Sequence, residues 1–366
     1  MTTLLPLTLY GSNISYFTGK LENYFRLKGI PYKLHSMQAP RDFKAVEAAV
    51  GVSQMPAVKL ADGRWMTDST KIIQWFEQEL PEPSIIPTDS TLRFLCFLLE
   101  DYADEWLWRP AMHYRWHYAE GAHFAGRHLT NELMGSMPLP GSLKRFMMRH
   151  RQRSGYTTGD GITTENVDQV ETIYTGLLDQ LQVIFSDRKF LLGDRPSLAD
   201  IGFSGPFFRH FALDPVPLEI LRNRAPAVLE WVARLWNCNA EDYGSDWSGA
   251  DLSRLASLLE SVGNSYLPYL NANANAIEAD KRRFDVQING AFYKGARVSQ
   301  YRVWCLQELR NHFDAVPSDQ QLKLKTLLET HGCWQPLWSK ETLPMQSQQE
   351  KDLPFRANYK MIAANE

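Results

Sequence analysis

The sequence predicts a mixed α/β domain at the N-terminus, then an all-helical domain, then a further helical extension. Three observations carry this reading. Strand-like and helix-like segments alternate in the order β-α-β-α-β-β-α as far as Glu79. Long amphipathic segments take over after Pro87, and no strand-rich stretch stands out among them. At 366 residues the chain is too long for one ordinary core, and length alone points to two or three domains. We therefore expect units at 1–82, 83–245 and 246–366, the last ending in a polar tail.

Leu5 to Tyr10 reads as a short buried strand. Thr18 to Lys28 has helical spacing, with Leu21, Tyr24, Phe25 and Leu27 apolar and Gly29 as a stop signal before Pro31. Tyr32 to Met37 is a second strand, and Phe43 to Val50 a short helix. Ala57 to Leu60 and Arg64 to Thr67 read as two strands joined by Ala61-Asp62-Gly63. Asp68 or Ser69 caps the next helix, Thr70 to Glu79, which ends before Pro81 and Pro83. The first strand–helix–strand unit implies a parallel pair. The hairpin adds antiparallel strands, so the sheet should be mixed and four-stranded. Helical segments are then expected near Leu92–Glu120, Glu165–Phe185, Ser197–Phe211 and Ala227–Cys238, with loops at 159–164 and 244–249. Beyond them, Asp251–Tyr269, Val298–Phe313 and Asp319–His331 are amphipathic. Asn271 to Asn275 reads as either helix or linker. Trp304, Trp334 and Trp338 suggest that the extension packs against something.

Composition narrows the function. The chain is 44% apolar and 22% charged, the balance of a soluble globular protein. A net charge of −3 predicts no long-range attraction to nucleic acid. The basic run Lys144, Arg145, Arg149, His150, Arg151, Arg153 reads as a solvated helix face. Cys96, Cys238, Cys305 and Cys333 are scattered, with neither a zinc spacing nor a disulfide framework, so a reducing cytoplasm and free thiols are expected. The N-terminus has no signal-peptide pattern, and no run of about 20 apolar residues predicts a membrane span. No nucleophile-elbow motif supports a serine triad. His113 and His117 are spaced for one helical face, yet no third ligand accompanies them, so no metal is expected.

Two short motifs narrow it further. Met55-Pro56 sits directly before the hairpin, where an ordinary trans proline starting a strand is the plain alternative. Asp68-Ser69 opens a helix, where a simple cap is the plain alternative. In this order and at this separation the pair resembles the N-terminal, thioredoxin-like domain of glutathione transferases. Phe190 to Ile201, with Ser197-Leu198-Ala199-Asp200 as a capping box, is similar to the structural signature of that family's helical domain. The resemblance covers about Leu5 to Ala240.

The resemblance implies glutathione as co-substrate. It implies a cis proline at Pro56, which leaves the backbone of Met55 free to pair with the tripeptide as an added strand. The helix N-terminus at Ser69 suits the γ-glutamyl carboxylate, Asp68 suits its ammonium, and Gln54 is positioned to reach the tripeptide backbone. Where glutaredoxin-like relatives carry C-x-x-C, this chain has Ser15-Tyr16-Phe17-Thr18. Ser15 is the candidate partner of the glutathione thiolate, with Asn13 and Ser12 as rival donors and a plain N-cap as the alternative role. Tyr16, Phe17, Trp106, Arg109, His113 and Trp116 are the candidate electrophile pocket; the last four share a face at three-to-four spacing, as an aromatic core stripe also would. Asp200 is assigned to structure.

The function expected is thiolate transfer to a hydrophobic electrophile, by conjugation, ether cleavage or dehalogenation, in a cytoplasmic homodimer without nucleic-acid or membrane partners. The alternatives are a non-catalytic, metaxin-like assembly protein, whose extension is expendable for glutathione binding, and a glutathione-dependent isomerase. Two departures from the family stand out: the extension itself, and the lack of an unambiguous catalytic Tyr or Cys.

Overall fold

The computed structural model describes residues 4–244, 247, 251–345 and 352–357. The first region runs β1 (Leu7–Gly11), α1 (Tyr16–Leu27), β2 (Tyr32–Ser36), α2 (Pro40–Val50), β3 (Ala57–Lys59), β4 (Trp65–Thr67) and α3 (Ser69–Glu79). The four strands form one mixed sheet in the order β2-β1-β3-β4. β1 pairs parallel to β2, with Leu7 opposite Tyr32, and antiparallel to β3, with Tyr10 opposite Ala57. Alternation buries Leu7 and Leu9 on one face, where α1 and α3 close over them with Tyr24, Phe25, Ile72 and Phe76. Gly29, at φ 66°, provides the left-handed turn that ends α1. The Met55–Pro56 bond is cis.

The helical region follows: α4 (Ser90–Glu105), α5 (Trp108–His117), α6 (Ala119–Leu133), α7 (Gly141–Tyr156), α8 (Val167–Asp187), α9 (Leu198–Pro206), α10 (Pro215–Arg224) and α11 (Pro226–Asn237). The segment expected as one amphipathic stretch, Leu92–Glu120, is divided. The helix breaks at Trp106–Leu107 and starts again at Trp108, so residues on either side do not share one helical phase. The basic run lies on α7, whose one fully buried side chain is Met148. α4 crosses α9 closely at Gly202, where a β-carbon would stand 2.7 Å from the α-carbon of Glu100.

The extension holds α12 (Ala256–Ser261), α13 (Leu267–Glu278), β5 (Arg283–Ile288), β6 (Ala291–Arg297), α14 (Gln300–Asp314), α15 (Ser318–Thr330) and α16 (Trp334–Trp338). It is mostly helical. The β5–β6 hairpin is an element absent from the sequence reading, although Asn289-Gly290 joins its strands with φ 45° and 78°, the two-residue turn such a dipeptide favours. Asn271 to Asn275 lies within α13. The extension shares the main hydrophobic core: Phe313 meets Phe94 edge-on at 6.0 Å, His312 stacks on Phe97 at 3.7 Å, and Tyr269 meets Trp106 at 5.6 Å. The polar tail, after about Ser339, is expected to lie extended. Its segment 352–357 instead returns to the first region, where Thr67 N–H donates to the Pro354 carbonyl at 2.8 Å and Ala357 N–H to that of Val50 at 2.8 Å. The rest of the tail beyond Met345, and most of the expected 244–249 loop, lie outside the described residues.

Asp200 is fully buried at the start of α9. Its carboxylate accepts from Leu191 N–H (2.9 Å), Ser197 N–H (3.0 Å), Ser197 Oγ (2.7 Å) and Trp231 Nε1 (3.0 Å). Asp200→Ala leaves these donors unpaired in the core and is expected to cost about 3 kcal/mol or more of stability. Urea unfolding measures it, and a loss under 1 kcal/mol would contradict this account of the α9 start.

Candidate functional site

A cavity of about 190 Å3 is lined by residues from four parts of the chain. Ser53 to Pro56 with Asp68 and Ser69 come from the β3 approach and the start of α3. Ile14, Ser15, Tyr16 and Phe17 come from the loop after β1 and the start of α1. The helices supply Asp104, Glu105, Trp108, Met112, Arg115, Trp116 and Tyr156, and the extension supplies Tyr301.

The loop after β1 is anchored from α6. Glu132 accepts from Ser12 Oγ at 2.6 Å, Asn13 N–H at 3.0 Å, Asn13 Nδ2 at 3.2 Å and Ser36 Oγ at 2.7 Å. This engages both rival donors: Ser12 is buried against Glu132, and the exposed Asn13 is not among the lining residues. Ser15 differs. It sits at the N-cap of α1 in extended conformation (φ −82°, ψ 134°), and its hydroxyl makes no cap bond. Its carbonyl accepts from Gly19 N–H at 3.0 Å, so the amides of the first turn point outward without helical partners. A half-buried hydroxyl therefore stands beside the positive end of a helix, at the cavity.

At the cis Met55–Pro56 bond, the Met55 backbone makes no hydrogen bond to another protein group among the described residues. Gln54 Nε2 donates to Thr67 Oγ1 at 2.9 Å. Asp68 is nearly fully buried and takes φ 74°, a region that costs a residue with a β-carbon of order 1–3 kcal/mol. Two bonds hold it there: Lys71 N–H donates to Oδ1 and Tyr301 Oη to Oδ2, each at 2.7 Å. Burial raises the Asp68 pKa, while these two donors and the cations of Lys20 and Lys71 oppose the rise.

A buried ionic cluster lies alongside. Lys20 Nζ contacts both Glu100 and Asp104 and donates to Thr70 Oγ1 at 3.2 Å. Burial disfavours its charge, but the two carboxylates overcome that and raise its pKa. Burial raises the pKa of Asp104, whose Oδ1 has no hydrogen-bond partner among the described residues. Glu105 Oε2 pairs with Arg302 Nε at 3.2 Å.

Of the residues expected to form an electrophile pocket, Tyr16, Phe17 and Trp116 line the cavity; Tyr16 Oη donates to the Ala103 carbonyl at 2.6 Å. Trp106, Arg109 and His113 do not line it. Arg109 is fully buried, its guanidinium 3.9 Å from the ring of Tyr269 and 4.5 Å from that of Trp106, with Nε 3.2 Å from Asp160. His113 Nε2 lies 2.8 Å from Glu171 and its ring stacks on His117. The cavity-facing residues of α5 are Trp108, Met112, Arg115 and Trp116. Arg109, His113 and Trp116 share α5, but its cavity side is the neighbouring face, so of the four expected residues only Trp116 lies there; Trp106 precedes the break at Trp106–Leu107. Sequence reasoning did not single out Asp104 from the acidic run Asp101–Glu105, and it missed Tyr301, for which no local signal exists.

The thiols offer no rival nucleophile. All four cysteines are free, and burial pushes Cys238 and Cys333 up to about 12 and Cys96 and Cys305 upward as well. Among the described residues no group of three His, Cys, Asp or Glu could hold a metal, and no helix is long and apolar enough to cross a membrane.

Two family profiles match the chain: the glutathione S-transferase N-terminal domain over residues 9–84 and the C-terminal domain over residues 144–238. No curated protein sequence matches it. Solved structures similar to it include a glutathione transferase from Phanerochaete chrysosporium, 16% identical, covering 63% of this chain and 96% of its own, with TM-score 0.45. A β-etherase from Sphingobium is 19% identical, covering 64% of this chain and 97% of its own, with TM-score 0.44. A glutathione S-transferase from Methylobacterium radiotolerans, solved with glutathione sulfonate, is 17% identical, covering 64% of this chain and 92% of its own, with TM-score 0.39. Residues beyond 238 lie outside both profiles.

Arg115 ties the loop before α1 to the start of α10: it donates to the Ile14 carbonyl at 2.7 Å and to Asp214 Oδ2 at 2.8 Å. Asp214 is fully buried, and burial pushes its carboxyl up to about 6 against the pull of Arg115. An unfolded Asp titrates at about 3.9. Between these values the folded chain keeps a proton that the unfolded chain has released, so this group makes stability fall as pH rises from about 4 to about 6. Asp214→Asn removes that titration. The slope of unfolding free energy against pH in this window should flatten by on the order of 2 kcal/mol in all, measured by urea unfolding at several pH values. An unchanged slope would rule the assignment out.

Proposed function

The chain belongs to the glutathione S-transferase superfamily over its first two regions, and from that premise we propose that it binds glutathione in the cavity and activates its thiol for attack on a hydrophobic electrophile. The observation that carries the reading is convergence. The unpaired Met55 backbone, the Asp68-Ser69 helix start and the uncapped Ser15 hydroxyl all border one cavity.

Each feature suits one part of the tripeptide. The Met55 backbone offers a donor and an acceptor to an extended cysteinyl segment. The first turn of α3 suits the γ-glutamyl carboxylate, and the Asp68 carboxylate, with Asp104 Oδ1 nearby in the lining, suits the ammonium. Gln54 reaches the peptide backbone. The sulfur is then expected at Ser15, whose hydroxyl donates to the thiolate while the α1 dipole favours the anion. The aromatic wall of Tyr16, Phe17, Trp108 and Trp116 with Met112 suits an apolar, ring-bearing electrophile.

In the step itself the glutathione thiolate attacks the electrophilic carbon. A carbon–sulfur bond forms, and the leaving halide or alkoxide departs with its electron pair. The protein forms no covalent bond; it lowers the thiol pKa and aligns the two reactants. His210 lines the cavity, but burial and the neighbouring Arg115 hold its pKa well below normal, so it is neutral at pH 7 and supplies no positive charge there.

Ser15→Ala removes one hydrogen bond to an anion. It should raise the pKa of bound glutathione and lower kcat/KM near pH 6.5 by about ten- to a hundredfold. Thiolate absorbance during glutathione titration and turnover of an aryl-halide and aryl-ether panel measure both effects. An unaltered rate and absorbance in the variant would sink the role given to Ser15.

A further inference from the structure

Among the described residues the extension reaches into the cavity at one point. α14 delivers Tyr301, nearly fully buried, whose hydroxyl donates to Asp68 Oδ2 at 2.7 Å across 233 residues of sequence. We propose that α14 completes the glutathione site, with Tyr301 as a positioning residue that orients the Asp68 carboxylate towards the γ-glutamyl ammonium. The inference rests on reading this cavity as a glutathione site.

Several independent contacts hold α14 in register with the site. The Tyr301 ring stacks on Trp304 at 5.0 Å, and Trp304 in turn carries the Lys71 ammonium over its face at 5.0 Å. Lys71 Nζ pairs with Glu308 one turn further along α14, while the Lys71 N–H donates to the capping Asp68 carboxylate. The first turn of α3 is thus gripped from the extension at the point where its N-cap takes a left-handed backbone. On the opposite side Arg302 pairs with Glu105, itself a lining residue, and with Asp160 at 3.1 Å. A strained N-cap with both carboxylate oxygens engaged is over-determined in direction. Each oxygen keeps a further lone pair, so the carboxylate can still accept an ammonium.

The hydroxyl also bears on charge. Asp68 must be ionised to pair with an ammonium, and its burial works against ionisation. The groups that face it are Lys20 from α1, Lys71 from α3, and Tyr301 and Cys305 from α14. Removing the Tyr301 donor leaves burial less opposed and shifts protonation of Asp68 to higher pH.

Calorimetric titration of the full chain with glutathione and with N-acetylglutathione, which lacks the ammonium, tests this. Tyr301→Phe keeps the ring on Trp304 and removes only the donor. It should weaken glutathione binding by about tenfold, the weight of one hydrogen bond to a charged group, and leave N-acetylglutathione binding unchanged. The variant's glutathione affinity should also fade at higher pH than the wild type's as the solution is acidified. On an Asp68→Asn background the same substitution should no longer alter the preference between the two ligands. Should the Phe variant melt at assay temperature, Tyr301→His, which keeps a ring donor, should bind glutathione better than Tyr301→Ala. Equal weakening of both ligands, or of neither, overturns the role of Tyr301. A wild-type chain that fails to bind glutathione, or does not prefer it to its N-acetyl form, overturns the underlying site reading instead.

Discussion

Four carboxylates within six residues of a largely buried helix must each find a donor, and that requirement organises the molecule. Glu100 and Asp104 are four apart and share one face of α4; Asp101 and Glu105 share another about 100° away. The first face meets Lys20 and Thr70 from the thioredoxin-like region. The second meets the extension, with Tyr266 Oη donating to Asp101 at 2.6 Å and Arg302 pairing with Glu105. An unpaired buried carboxylate is costly enough that neither face tolerates an absent partner. α4 therefore sets where the first region and the extension sit, and the cavity lies where they converge on its C-terminal end, at Asp104 and Glu105.

That constraint explains which parts of the architecture were legible from residue order. The first sheet was, because Leu7 and Leu9, the Asp62-Gly63 turn and the Gly29 stop are local signals. The β5–β6 hairpin was not read, although Asn289-Gly290 between its strands is a local turn signal. The break at Trp106–Leu107 was not legible. Its cause lies in packing, where Trp106 turns into a buried aromatic group with Tyr269 and Tyr293 while Trp108 turns to the cavity. Local propensity carries no trace of that, nor of which face of α5 turns to the cavity: Arg109 and His113 pack away from it while Trp108, Met112, Arg115 and Trp116 line it.

The candidate site divides along the same line. Met55, Pro56, Asp68 and Ser69 were visible because strand addition and helix capping need particular residue types at short range. Ser15 was visible by its place after the first strand; its distinction from Ser12 and Asn13 was not, because it depends on Glu132 from a distant helix engaging those two. Residues that enter from far along the chain, Arg115 and Tyr301 above all, have meaning only once the fold exists.

The 233-residue gap between Asp68 and Tyr301 also has a consequence in time. A ribosome adding about 5–20 residues per second needs on the order of tens of seconds to travel from one to the other. Through that interval the first region can form its sheet and α3, yet its strained N-cap and the Asp101–Glu105 face of α4 wait without their late partners. The thioredoxin-like unit is synthesised first but finished last, so the cavity gains its Tyr301 wall only near the end of translation.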